Sequence, residues 1–116
     1  MSGSFARPWL PVLAWAAVIF AFSSVPDLGT GLGGWDLLVR KIAHAVEFGV
    51  LGALFLRATG RPGLAFVLGT LYAVSDEVHQ SFVPGRTGSA VDVAIDTIGV
   101  LAGIVVWQLV RARRFA

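Results

Sequence analysis

Seven carboxylates and two histidines are placed so that, once the apolar stretches run alternately up and down, all of them land at the same end. Asp27, Asp36, Glu47, Asp76, Glu77, Asp92 and Asp96 then gather in one leaflet or its bordering loops, with His44 and His79 among them. Such a gathering matters because this chain is built for lipid. Charged residues are 14% of its 116 residues, against roughly a quarter in a soluble domain, and mean hydropathy is +0.78. Ionisable groups inside a membrane are costly, so a cluster of them marks a functional site.

The apolar segments predict an all-α fold, an integral membrane bundle of four transmembrane helices in one domain over residues 1–116. The helices are expected at about 8–25, 37–58, 64–82 and 89–111. Pro8 and Pro11 suit a first helical turn, where a missing N–H costs little. A cleaved signal peptide is the rival reading of this first segment; its apolar run is longer than a signal core, and a retained helix is expected. A glycine-rich connection over 27–35 leads to Asp36 as N-cap of the second helix. Thr59-Gly-Arg-Pro-Gly63 and Pro84-Gly-Arg-Thr-Gly88 read as turns.

Charge sets the orientation. Arg7, Arg57, Arg61, Arg111, Arg113 and Arg114, six of nine basic residues, fall at the end opposite the acids. Short cation-bearing loops stay inside, so both termini are expected in the cytoplasm, with a polar cup opening outward. The arginine-rich tail reads as a stop-transfer anchor to anionic lipid rather than a nucleic-acid contact. Without cysteine there is neither a disulfide framework nor a thiolate metal site.

At about 100° per residue, Arg40, His44, Glu47 and Leu51 share one stripe of the second helix, with Lys41 beside it. Gly69, Tyr72, Asp76 and Gln80 share a stripe of the third, flanked by Glu77 and His79. Asp92, Asp96, Gly99 and Gly103 line up on the fourth, where Gly99-x-x-x-Gly103 permits close helix approach. Glu47 lies ~15 Å below the start of its helix, too deep for a short stem to reach the headgroups. Ser89-Ala-Val-Asp92 also has capping-box spacing, so Asp92 has a structural role to weigh against a ligand role.

The runs Lys41-x-x-His44-x-x-Glu47-Phe48 and Tyr72-Ala-x-x-Asp76-Glu77-x-x-Gln80-x-Phe82-x-Pro84-Gly85-Arg86, with Asp92 and Gly99-x-x-x-Gly103, resemble the VanZ-like family of bacterial membrane proteins. The likeness covers roughly residues 38 to 105 and departs at Asp96, where the family usually carries asparagine. The resemblance implies a multi-pass protein of the bacterial cytoplasmic membrane, associated with resistance to the glycopeptide teicoplanin. It implies no settled reaction.

Three cations (Arg40, Lys41, Arg86) face five carboxylates (Glu47, Asp76, Glu77, Asp92, Asp96) in the expected cup. The excess negative charge calls for protonation, a divalent cation or exposure to water. The leading reading is a site for a polar envelope component, such as a lipid headgroup, a lipid-linked precursor or a glycopeptide-related ligand. Arg40, Lys41, Gln80, Arg86, Asp92 and Asp96 are its expected contacts. Were the chain an enzyme, Glu47 or Asp76 would serve as base with His44 as partner or acid, and Glu77 is a further catalytic candidate. The i,i+3 pairs His44/Glu47 and Asp76/His79 loosely resemble bundle metal sites, although a divalent metal is not the favoured reading and the cofactor stays open. A proton-linked transporter element, which would require a homodimer, and a non-catalytic membrane partner complete the alternatives.

Overall fold

The computed structural model describes residues 2–24, 35–83 and 90–115, which form four α-helices and no strand. They are α1 (Ser2–Ser23), α2 (Asp36–Thr59), α3 (Pro62–Gln80) and α4 (Ala90–Phe115). The turn at 84–88 with Arg86, the connection holding Asp27 and the Ser89 cap position lie outside the described residues.

Local chemistry explains most of the boundaries. α2 ends where Gly60 adopts a left-handed φ of 68° and its N–H donates to Leu56 O at 2.7 Å, a conformation that glycine takes without strain. Pro62 then opens α3, where its missing N–H breaks no helical bond. Two expectations shift. α1 starts at Ser2 and runs through Pro8 and Pro11, which therefore lie inside the helix rather than in its first turn. α2 starts at Asp36 itself, with Trp35 in the cap position and making no side-chain capping bond.

Three helices have a stretch long and apolar enough to cross a membrane: Ala6–Ser23, Leu38–Thr59 and Ala90–Arg113. α3 is not among them, since Asp76, Glu77, His79 and Gln80 lower the hydropathy of its last turns. Leu10, Leu13, Val46, Leu71, Ile98 and Leu109 stand exposed around the outside, an apolar surface suited to lipid rather than water.

The order is up-down-up-down. Trp15 Nε1 donates to Glu47 O at 2.8 Å and Trp9 meets Phe55 edge-on at 6.3 Å, which makes α1 antiparallel to α2. Tyr72 donates its hydroxyl to Ala16 O, tying α3 to α1. α4 packs on α2 and α3 and does not reach α1 among the described residues. Phe48, Leu51, Ala65, Ala73, Val100 and Ile104 fill the core between these helices.

The α2–α4 crossing positions the site. A Cβ built on Gly99 would run into the Ala45 carbonyl, one on Gly103 into that of Gly49, and one on Gly52 into that of Val100. The two backbones therefore touch, and only glycine fits at these three points. Gly69 makes room in the same way for the Val100 side chain, drawing α3 onto α4.

Candidate functional site

The parallel run of α2 and α4, with α3 antiparallel to both, brings the N-terminal turns of α2 and α4 beside the C-terminal turns of α3. Lys41 Nζ donates to Asp92 Oδ1 at 2.7 Å between two partly exposed side chains. The first-turn acid of α4 thus bridges to α2, whatever it also contributes to the helix terminus. One turn deeper, His44 Nδ1 stands 3.8 Å from Asp96 Oδ1, beyond hydrogen-bonding reach.

Asp76 completes the deeper layer. One ligand atom from each of His44, Asp76 and Asp96 lies within 4.8 Å of the other two. These residues come from three different helices. Asp76 is 4% exposed and accepts from Gln80 Nε2 at 2.9 Å, a one-turn bond that orients its carboxylate. Asp96 is 1% exposed, and neither of its oxygens meets a hydrogen-bond donor. Four other carboxylates (Asp76, Asp92, Glu77 and Glu47) act on it electrostatically. A charged carboxylate enclosed in this way is expensive unless something positive joins it. His44 retains a side-chain exposure of 21%, against 1% for Asp96.

His44, Asp76, Gln80, Asp96, Lys41 and Asp92 are therefore brought together, while Arg40, Glu47 and Glu77 lie half-buried at the same end. His79 is not part of the group. Its Nε2 is 2.8 Å from Ser24 Oγ and its ring stacks on Phe20 at 4.3 Å, so it joins α3 to α1. Of the expected ligand set, His44 and Asp76 come together with Asp96, whereas His79 turns to α1. Register explains the split. His79 projects from α3 about 60° from Asp76, toward α1 rather than α4, following the 3.6-residue period.

Sequence reasoning missed the anchoring of α1. Ser24, Phe20 and Trp15 hold this helix to the polar end, and nothing in their spacing marks them as partners of His79 and Glu47. Below the polar layer, an open apolar groove of about 500 Å³ runs along the outer side of the α2–α4 seam. Ile42, Ala45 and Ile98 line its upper part and Trp107 its lower part. Its upper end begins at Ile42, next to Lys41 on α2, and at Ile98, six residues past Asp92 on α4.

A family model described as VanZ/LLP1 matches residues 6–111, nearly the whole chain. No curated protein and no solved structure matches it.

Proposed function

The chain belongs to the VanZ/LLP1 family, and we propose that it is a multi-pass protein of the bacterial cytoplasmic membrane that binds the polar headgroup of an envelope lipid. The observation that carries this reading is a juxtaposition: charged side chains at the polar end of α2 and α4 adjoin an open apolar groove along the outer side of the same two helices. A lipid has the same two parts in the same order. Arg40 and Lys41 are the described cations at the polar end and serve as contacts for an anionic headgroup. Asp92 holds Lys41 in place until such a group arrives.

In this reading α3 also spans, because its acids face the bundle rather than lipid, and Arg7, Arg57, Arg61, Arg111 and Arg113 keep the opposite end in the cytoplasm. The polar end then opens outward, where lipid-linked wall precursors and glycopeptides meet. A role in teicoplanin resistance follows from the family association rather than from the geometry.

The test is lipid binding by the detergent-purified protein, comparing an anionic with a zwitterionic phospholipid of the same acyl chains. The anionic lipid should bind more tightly, and joint substitution of Arg40→Ala and Lys41→Ala should weaken it about tenfold, roughly 1.4 kcal/mol. Equal affinity for both lipids, unchanged by the substitutions, would sink the reading. A parallel measurement of teicoplanin sensitivity with Glu47→Ala at constant membrane level tests the link to resistance.

A further inference from the structure

We propose that His44, Asp76 and Asp96 bind one divalent ion of the first transition row, Zn²⁺ or Mn²⁺, at the polar end of the bundle. Three observations converge. The three side chains come from α2, α3 and α4, and their ligand atoms lie within 4.8 Å of one another. Asp96 is almost wholly enclosed, with both oxygens lacking a hydrogen-bond donor although its neighbours include other acids. Gln80 holds Asp76 by its Oδ2, the kind of outer partner that fixes a ligating carboxylate.

Geometry and donor type fit such an ion. Ligands bound at ~2.1 Å around a tetrahedral ion stand ~3.4 Å apart, so atoms up to 4.8 Å apart must close by as much as about 1.4 Å, within the reach of side-chain rotation. One imidazole and two carboxylates suit zinc, manganese or iron better than magnesium or calcium, which prefer oxygen alone. The ion would supply positive charge beside the enclosed Asp96 carboxylate. It would also tie three helices together at the end where no glycine seam joins them. A bound ion leaves coordination positions for phosphate oxygens. That consequence rests on the headgroup reading, whereas the ion site does not, so metal alone is the probe.

The experiment strips the detergent-purified protein with chelator, desalts it, and titrates it with Zn²⁺, Mn²⁺ and, for comparison, Mg²⁺ by calorimetry. Elemental analysis after desalting counts retained ions. Wild type should take up one Zn²⁺ or Mn²⁺ per chain, at least tenfold more tightly than Mg²⁺. Asp96→Asn, which keeps shape and removes charge, should lower that affinity tenfold or more, and Asp76→Asn should do the same. His79→Ala should leave it unchanged, since that imidazole faces α1. A wild-type chain that retains no ion and shows no saturable uptake would overturn the proposal. So would an Asp96→Asn protein that binds like wild type, because Asp96 would then be a neutral buried acid rather than a ligand.

Discussion

The α2–α4 pair is two interfaces placed end to end. From Ala45 and Gly99 downward the helices meet backbone to backbone, with glycine wherever a Cβ would strike the opposing carbonyl. Above that, the same two helices meet through polar side chains, Lys41 to Asp92 and His44 toward Asp96. Close packing in lipid relies on dispersion and cannot use a hydrophobic drive between helices. The small-residue half therefore supplies the affinity that keeps the charged half assembled. The contrast shows how one helix pair can be rigid enough to hold ionisable groups together and still leave space among them.

The largest effect should come from filling the seam. Gly103→Val places side-chain atoms where the Gly49 carbonyl stands, and backbone cannot give way as a flexible side chain can. A loss of about 3 kcal/mol or more is expected, read as a collapse of the thermal midpoint in detergent. If Gly103→Val melts like wild type, the helices do not cross where described.

A smaller effect tests how α1 is held. His79→Ala removes the Ser24 bond and the Phe20 stack, which together contribute roughly 1–2 kcal/mol. Faster protease cleavage near the end of α1, with the α2–α4 seam intact, is the expected readout. Unchanged cleavage would show that Trp15 and Tyr72 suffice to anchor α1.

Lys41→Ala should cost less, about 0.5 kcal/mol, because its pair with Asp92 is partly exposed. That cost should fade as salt is raised, since exposed pairs are screened. A loss above about 2 kcal/mol, insensitive to salt, would mean the pair is more enclosed than its exposure indicates. Smallest of all, Gly63→Ala should be neutral or stabilising by about 0.5 kcal/mol, because a Cβ there meets nothing within 4 Å in the first turn of α3. Destabilisation there would show that the chemistry of the seam does not set the difference among the glycines.

How much of this was legible in the sequence depends on periodicity. The stripe of Asp92, Asp96, Gly99 and Gly103 announced both halves of α4 from spacing alone, because a straight helix carries one face along its whole length. Gly60 and Pro62 marked their turn for equally local reasons. What sequence could not give was the neighbour. Gly49 and Gly52 become the counterparts of Gly103 and Val100 only once the crossing point is known. His79 and Asp76 are three residues apart and looked like a ligand pair, yet the rotation between them sends one to α1 and the other to α4. Asp96 was visible as a buried acid; that it stands beside His44 and Asp76 required three helices in place.

The N-terminal turns of α2 and α4 lie side by side in one chain, and the assembly of the polar end depends on it. Since the chain has no cysteine of its own, Lys41→Cys with Asp92→Cys can be joined by a short bifunctional thiol reagent in native membranes. Rapid intramolecular cross-linking is expected for that pair, and none for Val46→Cys with Val91→Cys, both of which stand exposed. Two cysteines at 41 and 92 that each react with the reagent yet never join would contradict the account.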